Sequence, residues 1–185
     1  LVLLRALGPF PLSTRTASAF RSVIGAVWLP GLGAALSSIG YCAILAFSSL
    51  LYADHGWRPV WLAFTAFGGA LISARWMFGH LPDRFGGARI ALVFIWVQAA
   101  GLILMGCAGH VVTASAGAAL AGLGYSLVYP GLGVEAVRGV SADNRGLAMG
   151  IYTVFLDVAM AIGSPALGWV ADRNGLNAVF VVSAA

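Results

Sequence analysis

The chain has 185 residues, of which 61% are hydrophobic and 9% are charged, with a net charge of +4 and a mean hydropathy of +0.94. Soluble domains usually carry about 25% charged residues, so this composition excludes an ordinary water-soluble domain and predicts a polytopic membrane protein. All ten cationic residues are arginines, and they stand singly at the ends of apolar segments. This scatter argues against the basic stripe of a nucleic-acid-binding protein, so no nucleic-acid partner is expected.

The first residues are typical of the end of an earlier apolar segment. The chain opens at Leu1 without a methionine, and residues 1–7 form a short apolar run that a Gly-Pro pair ends. We expect a fragment of a longer protein, and the opening lacks the basic region and the cleavage site of a signal peptide. Residues 13–28 predict a polar loop followed by an interfacial segment, after which Pro30 is expected in the first turn of a helix.

Long apolar segments dominate the rest of the chain. A helix needs about 20 apolar residues, at about 1.5 Å each, to cross a hydrocarbon core of about 30 Å. Five segments meet this length, at residues 29–52, 59–78, 88–109, 111–134 and 147–170. A sixth begins near Asn177, but its residues up to Ala185 cover only about 13 Å as helix. Because no period-2 alternation is present, we predict helices and not barrel strands. The predicted fold class is an all-α membrane protein with five complete transmembrane helices and the start of a sixth.

The arginines predict the orientation of these helices. Eight of them precede the first segment or are assigned to the turns after the second and the fourth: Arg5, Arg15, Arg21, Arg75, Arg84, Arg89, Arg138 and Arg145. The opposite turns hold only Arg58 and Arg173. The positive-inside rule therefore predicts that the turns after the second and fourth segments lie in the cytoplasm.

A short motif occurs twice. Gly79-x-x-x-Asp83-Arg84-x-Gly86 is repeated as Gly-x-x-x-Asp-Arg-x-Gly over residues 168–175. Three apolar segments separate the two copies, so the copies lie on opposite faces of the membrane. This arrangement predicts an inverted repeat of three helices plus three, as many transporters contain.

The first copy also resembles the G-x-L-A-D-R-x-G-R-K signature of the major facilitator superfamily. The matching residues are Gly79, Leu81, Asp83, Arg84 and Gly86. Pro82 replaces a small residue, Gly87 and Ala88 stand where the family often has two basic residues, and Arg89 follows one place later. Residues 124–133 and 152–157 are similar to a bacterial branch of arabinose-efflux-permease-like proteins.

The resemblance implies that residues 29–185 form the C-terminal six-helix half of such a transporter, comprising its helices 7 to 11 and the start of helix 12. Residues 1–28 would then be the end of the central cytoplasmic loop and the interfacial segment. It further implies that the N-terminal half, membrane lipid and a small-molecule substrate are the partners, in a bacterial cytoplasmic (inner) membrane.

A conformational gating site also follows from the resemblance. In the family the aspartate of the signature pairs with an arginine at the cytoplasmic end of a neighbouring helix, which here implies a pair between Asp83 and Arg138. The implied gating residues are Gly79, Asp83, Arg84, Gly86, Arg89 and Arg138. A local alternative is a salt bridge between Glu135 and Arg138, which are three residues apart on one helix.

Asp157 is the candidate for substrate binding or proton coupling. It lies near the middle of the fifth segment, where a charge costs at least about 2.5 to 3.5 kcal/mol and should face the bundle interior or a water-filled cavity. A structural hydrogen bond is the alternative. Other polar residues in the apolar segments predict a cavity lining, with hydrogen bonds between helices as the alternative for each. The candidates are Ser37, Tyr41, Tyr125, Tyr129 and Tyr152.

These features predict transport of a small organic solute by alternating access, with proton coupling and efflux of a sugar or drug-like compound as the expected form. The alternatives are a helical scaffold without transport and a membrane-embedded enzyme. Motifs of intramembrane proteases and of ATP-binding loops are absent from the sequence, so we expect neither enzymatic activity nor a cofactor. Cys42 and Cys107 have no second ligand at metal-binding spacing, so no metal site is expected.

Overall fold

The computed structural model describes residues 15–185, with side chains from Phe20 onward, as helices joined by short turns. The helices are α1 Arg15–Asp54, α2 Leu62–Phe78, α3 Leu81–Phe85, α4 Gly87–Gly106, α5 Val111–Arg138, α6 Arg145–Asn174 and α7 Leu176–Val182. A single 3₁₀ turn precedes α6, and this part of the chain contains no strand. The all-α prediction is confirmed, while Arg5 and the apolar run of residues 1–7 lie outside the described residues.

The predicted transmembrane segments correspond to five of these helices. Among the described residues, α1, α4, α5 and α6 are long and apolar enough to cross a membrane. The 17 residues of α2 extend about 26 Å, which is at the lower limit for a crossing helix. The short α7 is the start of the sixth segment. The chain is therefore a multi-pass membrane protein.

The first helix begins earlier than the sequence analysis predicts. α1 already includes Arg15 and has Pro30 in its interior, so the prediction that Pro30 opens the helix is wrong. The residues before Pro30 are helical because their apolar face is buried: Val23 and Val27 pack with Val128 of α5 in one core cluster. This packing outweighs the helix hydrogen bond that the proline ring removes at Ala26.

Helix α5 lies at the centre of the fold, and small residues bring its neighbours close. Ala118, Gly122 and Ser126 form a small-residue face of α5 that packs against α2, where a Cβ added to Gly122 would overlap the Phe67 carbonyl oxygen. On the opposite side of α5, a Cβ added to Gly117 would lie 2.7 Å from the Met105 amide nitrogen of α4. Close approach of backbones through small residues is how membrane helices associate without a hydrophobic driving force.

The two copies of the repeated motif have the same backbone geometry. Gly86 and Gly175 have φ angles of +92° and +83°, which L-residues with side chains rarely adopt. Each glycine N–H donates to the carbonyl four residues earlier, Gly86 to Pro82 and Gly175 to Ala171, over 3.0 Å in both cases. Each glycine also separates one helix from the next. The repeat in the sequence is therefore a repeat in the structure.

Replacing Gly122 with alanine should destabilise the bundle by about 1 to 3 kcal/mol, because the new methyl group has to displace the backbone of α2. Gly68→Ala is the matched control, since no atom lies within 4 Å of its added Cβ. The control should be neutral or slightly stabilising because alanine favours the helix. Thermal unfolding midpoints of the detergent-solubilised variants measure the difference. Equal midpoints for the two variants would show that α2 and α5 are not in close contact.

Candidate functional site

An open cavity of about 330 Å³ lies where α1, α2, α5 and α6 converge. Its walls are formed by Tyr41, Leu71, Arg75, Tyr125, Tyr129 and Leu156. Tyr125 is close to the midpoint of the 28-residue α5, so the cavity lies near the middle of the membrane. The volume is in the range of sites for small organic ligands, which are typically mostly apolar with a few polar groups.

Aromatic rings form one wall of this cavity. The rings of Tyr41 and Tyr125 are stacked, with centroids 4.7 Å apart and planes at 13°. The Tyr125 hydroxyl lies 3.5 Å from the Ser38 hydroxyl, which itself donates to the Ala34 carbonyl at 2.8 Å. Tyr41, Tyr125 and Tyr129, three of the candidate lining residues, thus lie around the same cavity.

Arg75 supplies the positive charge of the cavity. It belongs to the last turn of α2, and its guanidinium donates to the Ser126 carbonyl of α5 at 3.3 Å. Helical side chains point toward the N-terminus of their own helix, which directs the exposed Arg75 side chain away from Gly79 and along α2 toward the cavity. Ser126 is 12 residues before the end of α5, about 18 Å along the helix, so the charge lies deep in the membrane.

The Ser126 carbonyl is available to Arg75 because of Pro130. Proline has no N–H, so the carbonyl four residues before Pro130 loses its helix donor. A backbone group without a partner costs several kcal/mol in lipid, and Arg75 supplies the missing donor. The sequence analysis counted Arg75 as a turn residue, and that assignment is wrong. The signals that could have revealed it are the helix-interior proline and the position of Arg75 a full turn before Gly79.

The candidate gating motif lies at the opposite end of α5 from His110. Gly79 and His80 join α2 to α3, which carries Asp83 and Arg84 on its exposed side, and Arg89 is exposed in the first turn of α4. Glu135 of α5 accepts a hydrogen bond from the Ala88 N–H at 3.2 Å. The motif is thereby attached to the end of α5 through the start of α4.

Arg138 pairs with Glu135 and not with Asp83. The nearest oxygen of Glu135 lies 3.0 Å from the Arg138 guanidinium, which confirms the predicted local salt bridge. Among the described residues, no ion pair links Asp83 to Arg138, so the pair that the resemblance implied is not formed. The reason is geometric: Asp83 is exposed on α3, while Glu135 is one turn from Arg138 on the same helix.

Other chemistry-bearing side chains do not form a site. Within residues 20–185 no three His, Cys, Asp or Glu side chains are placed to hold a metal ion. Cys42 is buried in α1 and Cys107 is exposed at the end of α4, and neither forms a disulfide within that range. The chemistry of the described half is therefore concentrated in the cavity and the motif.

The sequence model of the Major Facilitator Superfamily matches residues 31–185. The chain belongs to this superfamily. It is 41% identical to an MFS-type transporter of Pseudomonas aeruginosa (strain LESB58), over 98% of this chain and 47% of that protein. It is 38% identical to the MFS-type transporter YhhS of Escherichia coli (strain K12), over 89% of this chain and 41% of that protein. The chain thus spans about half the length of these curated relatives, and no solved structure matches it significantly.

Asp157 of this major facilitator chain lies on the open side of α6. Its neighbour Leu156 lines the cavity, whereas Asp157 itself is exposed and forms no ion pair with any described residue. Thr153, one turn earlier, is exposed on the same side. The carboxylate therefore faces a surface that the described part of the chain does not cover.

Ser37 does not line this cavity, and its side chain instead makes a hydrogen bond from α1 to α4. Its hydroxyl donates to the side-chain oxygen of Gln98 on α4 at 2.5 Å, and the Gln98 amide donates to the Ser37 carbonyl at 2.8 Å. Both residues are buried. The sequence analysis did not select Gln98, although a single amide inside an apolar segment is a signal for a hydrogen bond between helices. Ser37 therefore makes a hydrogen bond between helices, which the sequence analysis gave as the alternative to lining the cavity.

Tyr152 is also a structural residue in the major facilitator half. It is fully buried, and its hydroxyl donates to the Tyr129 carbonyl at 2.8 Å, which joins α6 to α5. The two rings lie 5.4 Å apart. Tyr129 therefore has its backbone bound to α6 while its side chain lines the cavity.

Tyr152→Phe should lower the stability of the bundle by about 0.5 to 2 kcal/mol, because the ring stays in place while the buried hydrogen bond to Tyr129 is lost. Tyr125→Phe is the matched control, since its hydroxyl makes only a 3.5 Å contact and should contribute little. Thermal unfolding of both variants in detergent tests this difference. A larger loss in Tyr125→Phe than in Tyr152→Phe would contradict the assignment of Tyr152 as the bond between helices.

Proposed function

We propose that this chain supplies the C-terminal half of a bacterial transporter that moves a small organic solute across the cytoplasmic membrane by alternating access. The observation that carries the proposal is the mid-membrane cavity of about 330 Å³, which residues of four helices surround, among them three tyrosines and one arginine. Relatives at 38–41% identity that are called MFS-type transporters support it. They are about twice as long as this chain, in agreement with two halves around a central site.

The open side of α6 is where we place the N-terminal half. This side holds Asp157 and Thr153, both exposed, in the middle of a helix that has to cross the bilayer. Lipid against Asp157 would cost at least about 2.5 to 3.5 kcal/mol. The second half of the transporter, with water between the halves, is the surface that removes this cost.

Proton coupling is the role that we propose for Asp157. A carboxylate at the boundary between two halves changes its surroundings when the halves rock, and its proton affinity changes with them. Binding a proton from one side of the membrane and releasing it to the other would then drive the solute. Efflux of a sugar or drug-like compound is the form we propose, in line with the resemblance to arabinose-efflux-permease-like proteins.

The turn from Gly79 to Arg89 is the proposed cytoplasmic gate. The carboxylate of Asp83 is exposed at the membrane end of the half, where a helix N-terminus of the other half could bind it with about 0.3 to 1 kcal/mol. Such a contact is weak enough to break in each transport cycle. The salt bridge between Glu135 and Arg138 holds the adjacent end of α5 while the contact of Asp83 changes.

Asp157→Asn should abolish flux driven by a proton gradient, because the amide cannot exchange a proton, while counterflow of solute without a gradient continues. Uptake and efflux of a panel of sugars and small drugs in proteoliposomes of the full-length protein, with and without a pH gradient, measure this effect. Insertion of the variant into the membrane is the control. Undiminished gradient-driven flux in Asp157→Asn would make the residue structural, and an absence of any flux in the wild type would favour a scaffold without transport.

The proposed orientation predicts which side of the membrane each turn faces. Cys107, exposed between α4 and α5, should react with a membrane-impermeant maleimide added outside spheroplasts. Cys107→Ala combined with Ala142→Cys places the thiol in the exposed turn before α6 instead, and this thiol should react only after the membrane is opened. Mass spectrometry of the labelled peptides gives the result. The reverse labelling pattern would invert the proposed topology.

A further inference from the structure

The cavity carries a positive charge and no acidic side chain in its lining, which is unusual near the middle of a membrane. Its six lining residues include one arginine and no aspartate or glutamate. Among the described residues, the ion pairs are between Glu135 and Arg138 and between Asp54 and His55, so Arg75 has no acidic partner there. A cation in the membrane interior normally pairs with an anion or marks a pathway for one.

The guanidinium of Arg75 keeps most of its hydrogen-bonding capacity. It has five N–H donors, and among the described residues the Ser126 carbonyl accepts one hydrogen bond from them. That bond anchors one guanidinium nitrogen at the carbonyl that Pro130 leaves without a helix donor. The remaining donors are exposed at the cavity wall, where a carboxylate can accept two of them side by side.

The other walls suit the organic part of such an anion. Tyr41 and Tyr125 present a stacked aromatic wall, and Leu71 and Leu156 present apolar side chains. The hydroxyls of Tyr41 and Tyr129 make no hydrogen bond to the described part of the chain, so they can donate to a second polar group of the solute. The space matches a flat molecule of moderate size and not an extended oligomer.

We propose that Arg75 is the anion-binding residue of the cavity and that the solute is an organic carboxylate with a flat or aromatic body. This inference rests on the transport function proposed above and narrows its substrate class. The carboxylate accepts hydrogen bonds from the free N–H groups of Arg75, and the body of the solute lies between the tyrosine wall and the two leucines. A neutral sugar fits this arrangement less well, because it leaves the arginine charge without a counterion.

Pairs of carboxylates and their carboxamides test this assignment, beginning with benzoate and benzamide and including aliphatic pairs such as hexanoate and hexanamide. The readout is the rise in thermal unfolding midpoint of the purified full-length protein as each compound is titrated, because a ligand of the native state stabilises it. In the wild type at least one carboxylate should stabilise more than its amide. Arg75→Gln should need at least about tenfold more carboxylate for the same shift.

Two further variants separate binding from folding. Glutamine is shorter than arginine and does not reach the Ser126 carbonyl, so the response of Arg75→Gln to each compound is measured from its own unfolding midpoint without ligand. Arg75→Lys should give an intermediate response, because it keeps the charge and loses the fork. Arg58→Gln removes an exposed arginine in the turn between α1 and α2 and should bind like the wild type.

The proposal is overturned if no carboxylate in the panel stabilises the wild type more than its amide, or if Arg75→Gln responds as the wild type does. Flux measurements keep this outcome distinct from failure of the transport function. Transport of neutral solutes alone, unaffected by Arg75→Gln, would leave the transport function standing and remove the carboxylate assignment. Carboxylate binding without flux would keep the site and remove the transport function.

Discussion

The hydrogen bond from Arg75 to the Ser126 carbonyl is the interaction around which the site is built. In a bilayer every backbone group needs a partner within the protein, and a proline in a helix interior removes one. Pro130 does so at the level of the cavity, and the guanidinium of a neighbouring helix replaces the lost donor. Arg75 thereby donates the hydrogen bond that the Ser126 carbonyl lacks, and it places a positive charge in the membrane interior.

That hydrogen bond depends on how closely α2 and α5 approach each other. Ser126 and Gly122 lie on the same face of α5, and the contact of Gly122 with the Phe67 carbonyl sets the separation of the two helices near the cavity. A larger side chain at Gly122 would move Arg75 away from Ser126, since the guanidinium already bonds at 3.3 Å. Packing by small residues is therefore a condition for the electrostatics of the site and not only for the fold.

The sequence predicted the fold class, the number of apolar membrane segments and the equivalence of the two glycine motifs, because hydropathy and glycine patterns depend on local physics. It did not predict the start of α1, where burial of Val23 and Val27 continues the helix past Pro30. It also placed Arg75 in a turn. The depth of the guanidinium in the membrane depends on the direction of the side chain and on its hydrogen bond to Ser126, which is 51 residues away in the chain. Of the predicted lining residues, Tyr41, Tyr125 and Tyr129 lie around one cavity, while Ser37 and Tyr152 make hydrogen bonds between helices.

The ionisable groups within the bundle argue that this half is built to face another charged or wet surface. Arg75 points into the cavity, Asp157 is exposed on the adjacent helix face, and neither has an ionic partner among the described residues. Two such groups facing lipid would together cost at least about 5 to 7 kcal/mol on insertion scales, which is comparable with the whole stability of a typical domain. Water, a solute or the other half of a transporter has to compensate them. In the proposed transport cycle, rocking of two halves would exchange these surroundings, so the same charges that make the isolated half costly would couple solute and proton to the conformational change.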